Sequence, residues 1–102
     1  LRAAPLLLTA ALSLAAADHP VIQKDRAFSQ SGITIHAGDT LTFKNQDEFV
    51  HNVFSSTPGM EFDIRRQNPG GHSTIPFPKT GTAEVRCAIH PRMKLLVKVE
   101  AK

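Results

Sequence analysis

Residues 82–100 read Thr82-Ala83-Glu84-Val85-Arg86-Cys87-Ala88-Ile89-His90-Pro91-Arg92-Met93-Lys94-Leu95-Leu96-Val97-Lys98-Val99-Glu100. At the start of this stretch Ala83, Val85 and Cys87 share one face, and Thr82, Glu84 and Arg86 share the other. At its end Leu95, Val97 and Val99 alternate with Leu96, Lys98 and Glu100. A two-residue period is the signature of a strand with one face buried. Cys87 therefore ends one strand and Met93 begins the next, with a short loop between them. A loop this short can turn the Cys87, His90 and Met93 side chains toward one point.

The same alternation runs upstream. Ile33 and Ile35 alternate with Thr34 and His36 before the turn Ala37-Gly38-Asp39. Leu41 and Phe43 alternate with Thr40 and Thr42, and Asn45-Gln46-Asp47 closes that strand. Residues 50–55 form another β-prone run. Residues 56–71 are richer in Pro, Gly and polar residues, with an apolar island at Phe62-Asp63-Ile64. Residues 73–77 are extended in character, and Pro76 places them at a sheet edge. Beyond the N-terminal segment no stretch sustains a helical period, and no internal repeat is evident. Short strands at close spacing with turns between them predict an all-β domain: a two-sheet Greek-key β-sandwich, mostly antiparallel, with any helix confined to a turn within 56–71.

Residues 1–17 are expected to stand outside that domain. They carry Arg2, an apolar stretch from Leu6 to Ala17, no acidic residue, and Ala15-Ala16-Ala17 before Asp18. This pattern predicts a cleaved signal peptide, leaving a single domain over 18–102. The apolar stretch is short for a membrane span, which needs about 20 residues. Export is the expected outcome, to the periplasm in a Gram-negative cell, with no stable membrane insertion after cleavage. A domain this small commonly leans on a disulfide, a metal or a partner. Cys87 is the only cysteine, so an internal disulfide is excluded. A lone thiol in an oxidising compartment is a liability unless something occupies it, and a metal suits that role.

Charge adds little. The chain has 12 basic and 9 acidic residues, and Arg2 falls in the leader. That near balance, with no Trp or Tyr, argues against a nucleic-acid partner.

A fourth donor to join Cys87, His90 and Met93 must come from a distant loop. His51 stands 36 residues before Cys87, at the start of an earlier strand. His72, in a Gly-Gly loop, is the rival; strand context favours His51. His36 falls on a polar face, and His19 lies near the new N-terminus, where ordering is poor. Met60 and Glu61 read as surface or packing residues. Two imidazoles and a thiolate in a trigonal set, with a weak axial thioether, define a blue-copper electron-transfer site. Covalent haem needs a second cysteine. Structural zinc favours more thiolates and does not favour methionine. A cysteine hydrolase would leave Met93 unexplained and lacks an oxyanion-hole motif.

The Cys87-x-x-His90-x-x-Met93 loop, the upstream His51-Asn52-Val53, and the run Ile33-x-Ile35-x-x-Gly38-Asp39-x-Leu41-x-Phe43-x-Asn45 together resemble the cupredoxins, in particular plastocyanin- and amicyanin-like members with a short ligand loop. The resemblance spans about residues 21–100. It implies a type 1 copper held by His51, Cys87 and His90, with Met93 axial, and Asn52 tying the two ligand loops together. It implies an electron carrier rather than an enzyme, acting as a monomer. Redox partner proteins such as a c-type cytochrome or a dehydrogenase follow from it, with His90 as the exit to the surface.

The chain departs from many relatives in having Val85 and Arg86 where an aromatic residue precedes the cysteine. It also has Ile89 where some have proline. Ile89 keeps its backbone N–H, which is expected to donate to the Cys87 sulfur and raise the reduction potential. Arg92, Lys94, Arg65 and Arg66 would set a basic rim near the exit, each alone being an ordinary solvated side chain. Two other functions compete: a copper carrier or sensor without redox turnover, and a copper module accessory to a larger oxidase. The first suits more exposed, thioether-rich sites, and the second would need a further histidine cluster.

Overall fold

The computed structural model describes residues 15–102. The expected leader therefore lies almost wholly outside the described residues. Nine strands follow in order: β1 Asp18–Lys24, β2 Ala27–Phe28, β3 Gly32–His36, β4 Thr40–Asn45, β5 Phe54–Ser55, β6 Phe62–Asp63, β7 His72–Pro76, β8 Gly81–Arg86 and β9 Lys94–Glu100. Among the described residues no helix is long and apolar enough to cross a membrane.

The strands form two sheets, ordered β2-β1-β4-β7 and β3-β9-β8-β5-β6. The sandwich is the expected one, but both sheets are mixed. β1 runs parallel to β4, and β3 runs parallel to β9. The other pairings are antiparallel. The parallel pairs arise because β1 and β3 are inserted beside strands far along the chain rather than joined to them by a tight turn.

Alternation places the core. Ala83, Val85, Leu95, Val97 and Val99 are buried from one sheet, and Val21, Leu41 and Phe43 from the other. Leu96, Lys98 and Glu100 face out. The Phe43 ring meets Phe28 edge-on at 5.9 Å, and Phe62 meets Phe77 likewise. β7 does stand at a sheet edge, as Pro76 requires. Of the run 50–55 only Phe54–Ser55 is strand.

β1 has no counterpart in the sequence reading. His19 is accordingly not in a poorly ordered terminus: its Nε2 lies 3.0 Å from Asp39 Oδ2 within a paired strand. Asp39 also accepts the N–H groups of Ala17 and His36, and Ala17 O accepts Thr40 N–H. Thr42 is buried despite its polar side chain because its hydroxyl bonds Asp18 and Thr74. These contacts close one end of the sandwich. Asn45, Arg86 and Lys94 mark the other end, where the loops carrying His51 and Cys87 emerge.

Candidate metal centre

His51 is placed by backbone bonds exchanged with Gln67, 3.0 Å and 2.8 Å long. Its ring is fully buried. His51 Nε2 meets Asp47 Oδ2 at 2.5 Å. A carboxylate accepts only, so Nε2 carries the hydrogen and Nδ1 presents a bare lone pair. That lone pair points toward Cys87: His51 Nδ1 stands 3.8 Å from Cys87 Sγ.

Asp47 is itself fixed on three sides. Its N–H donates to Asn45 Oδ1, and its carboxylate accepts the N–H groups of Asp25 and Arg26. Burial alone would raise its pKa, but the His51 bond and these two amides outweigh burial and hold the carboxyl below its usual range.

The second loop leaves β8 at Arg86 and closes with a turn in which Met93 N–H donates to His90 O at 2.9 Å. Cys87 follows β8 directly, its side chain 1% exposed, and Met93 is equally buried. His90 Nδ1 lies 3.9 Å from Cys87 Sγ and 3.2 Å from His51 Nδ1. The donor atoms of His51, Cys87 and His90 all fall within 4.8 Å of one another. His90 is the least buried of the three. Burial, then the neighbouring His51 and Arg26, lower its pKa, against a smaller opposite pull from Asp47.

Asn52 joins the two loops. Its backbone N–H donates to Cys87 Sγ at 3.3 Å, and its Oδ1 accepts Ala88 N–H at 3.1 Å. Its amide nitrogen donates to Asp63 Oδ1 and to Arg65 O, both at 2.8 Å. The bond expected from Ile89 N–H to the sulfur is not formed. The amide aimed at Cys87 comes from Asn52 on the facing loop, and the tight turn leaves the Ile89 side chain 51% exposed.

The donor set fits a metal ion. At about 2.3 Å to sulfur and 2.0 Å to imidazole nitrogen, donors 110–120° apart are separated by about 3.5–3.7 Å. The two S···N distances exceed that by only a few tenths of an ångström. A 3.2 Å N···N separation subtends about 106° at the same bond length. Two nitrogens and a sulfur converging in a buried pocket are a poor arrangement without a cation between them. The soft sulfur and the neighbouring methionine favour copper over harder ions.

Of the other histidines, His72 begins β7 opposite Lys44 and is exposed, rather than lying in the Gly-Gly loop. His36 is exposed. Met60 packs against the core and Glu61 is exposed. Two residues at the centre escaped the sequence reading. Asp47 counted only as a strand-closing turn residue; its place four before His51 was the available signal. Phe49, two before His51, packs on both imidazoles, 5.2 Å from His51 and 5.3 Å from His90.

Comparison with known proteins agrees with this geometry. The family model of copper binding proteins, plastocyanin/azurin family, matches residues 17–100. The chain is 36% identical over 76 residues to amicyanin-alpha of Methylorubrum extorquens, covering 72% of this chain and 64% of that protein. It is 31% identical over 84 residues to the methylamine utilization protein MauL of Methylophilus methylotrophus, covering 78% of this chain and 48% of the relative. The chain thus spans less than two thirds of either relative. A Cu(I) amicyanin variant superposes with TM-score 0.76 at 21% identity, over 81% of this chain and 82% of that one. The Cu-containing nitrite reductase of Thermus scotoductus superposes at 0.73 and 25% identity, over 79% of this chain but 22% of the enzyme.

Proposed function

The chain belongs to the plastocyanin/azurin family of copper binding proteins, and from that premise and its own donor set we propose that it carries single electrons between exported redox proteins. The observation that carries the proposal is the convergence of His51 Nδ1, Cys87 Sγ and His90 Nδ1 in a buried pocket. In this reading those three residues, with the buried Met93 thioether, would hold one type 1 copper. The ion, when bound, supplies the Cu(I)/Cu(II) couple.

The chain's own residues do the rest. Asp47 fixes the His51 tautomer so that its lone pair faces the site. Asn52 N–H points at the sulfur and favours negative charge there. Burial of His51, Cys87 and Met93 excludes water. His90, the partly exposed imidazole, is the edge through which an electron reaches a partner.

The carrier acts as a monomer and performs no chemistry on a substrate. The nitrite reductase likeness covers a single part of that enzyme and supports the fold only. Partner classes are a c-type cytochrome or a dehydrogenase; one relative's name ties that relative to methylamine utilization. Residues 1–17 are removed on export.

Adding Cu(II) to the purified protein tests the reading. An intense thiolate-to-copper charge-transfer band, absent in Cys87→Ser, is expected. A colourless protein that holds zinc and takes up no copper would overturn it.

A further inference from the structure

Arg86 is the last residue of β8 and directly precedes Cys87. Alternation sends Val85 and Cys87 into the core and turns Arg86 to the outer face of the sheet. Its guanidinium is not left to the solvent. Nε donates to Glu84 Oε1 at 2.5 Å, and Nη1 donates to Pro91 O at 3.0 Å. Glu84 lies two residues back on the same face, and the Arg86 bond holds its carboxyl below the usual range. Across the sheet Arg86 faces Lys94, and like charge on that side favours the lean toward Glu84.

Pro91 is where this contact matters. Met93 N–H donates to His90 O, closing a four-residue turn with Pro91 second and Arg92 third. Proline presets the φ that such a turn needs at its second position. Arg92 is not among the non-glycine residues with positive φ, which excludes the type II form. Types I and II differ in the direction of the peptide between the second and third residues. The second residue has ψ of about −30° in the first and about +120° in the second. Pro91 O belongs to that peptide and takes no part in the bond that closes the turn. Arg86 therefore holds the carbonyl whose direction separates the two forms. The turn begins at His90 and ends at Met93, so its central peptide governs how an imidazole and a thioether are aimed.

We propose that Arg86 is a positioning residue of the metal centre: oriented by Glu84, it locks the turn that carries His90 and Met93 before any ion arrives. The proposal rests on the copper reading. Arg86 and Glu84 are 38% and 44% exposed, and an ion pair so open to water contributes little to stability. Its effect therefore falls on metal retention rather than on the fold.

The test uses the full chain loaded with copper and three substitutions. Arg86→Lys keeps the charge but loses the planar fork that meets two acceptors at once. Arg86→Gln loses both, and Glu84→Gln removes the orienting charge. Lys98→Gln, farther along the outer face of the same sheet, is the control. Reduced protein mixed with excess Cu(I) chelator should release its metal about tenfold faster in both Arg86 variants, in line with losing a group that supports the ligands. Glu84→Gln should fall between, and the control should match the parent. Melts of the metal-free proteins should coincide. In 15N spectra of metal-free Arg86→Gln, the amides of Ile89, His90, Arg92 and Met93 should shift and broaden while those of β3 stay in place. Parental release from Arg86→Lys, a metal-free Tm that falls in step with faster release, or unmoved loop amides would each overturn the positioning role. A parent protein that takes up no copper would instead sink the copper reading, and the loop amides would still decide whether Arg86 holds the turn.

Discussion

At the scale of single residues, Asp47 governs how the centre is organised. It fixes which nitrogen of His51 is free and pins the turn that carries Arg26. Asp47→Asn keeps the size but gives up the charge and one accepting oxygen. Metal affinity should fall about 10–100-fold, the usual loss when the partner of a ligating histidine is removed. A competition titration against a chelator of known affinity reads this directly; an affinity equal to the parent's would remove Asp47 from the account. Residues at this scale differed in how legible they were. Cys87, His90 and Met93 announce themselves because their spacing is local, set by one short loop. Asp47 and Phe49 have roles that exist only after two loops meet, so their sequence context shows a turn and an isolated aromatic residue. Ile89 was read for its backbone N–H, yet what the fold presents is its side chain.

At the scale of elements, the Asp39 clasp ties the N-terminal strand to the sandwich. Its carboxylate takes the N–H groups of Ala17 and His36 and the His19 ring. The Ala17 amide most of all, then the His36 amide and His19, hold its pKa well below the usual carboxylate range. A carboxyl depressed in the folded state stabilises fully above its unfolded pKa of about 3.9 and loses that contribution as pH falls through its folded value. In a chain that keeps Ala17, Asp39→Asn should lower Tm by several degrees at pH 7. The gap to the parent should narrow only below about pH 4. Thermal melts across pH 2–7 check it, and a gap that stays constant throughout would contradict the linkage. β1 also shows what alternation cannot reveal. Its sequence sets only Val21 and Ile22 between Pro20 and a buried Gln23, too short an apolar run to show alternation, and pairing with β4 and β2 makes it a strand. β8 and β9 were readable because each has one face in the core and one in water.

For the whole molecule, metal and fold are linked. The donors come from loops at one end of both sheets, so a bound ion crosslinks segments 36 residues apart without a disulfide. A ligand that binds only the folded state stabilises by about 4 kcal/mol at a thousandfold excess over its Kd. Copper-loaded protein should therefore melt well above the metal-free form, and the gain should vanish in Cys87→Ser. Calorimetry with and without a chelator measures it; identical melts would show that the ion contributes nothing to the fold. The parallel pairing of β3 with β9 carries a consequence for timing. Gly32 faces Leu96 and His36 faces Glu100, so the second sheet waits for β9 to be made. Contacts this distant in sequence make folding slow, and a chain still being synthesised cannot form them. The Cys87–Met93 loop precedes that strand directly, which leaves the donor set ungathered until β9 has been made and paired.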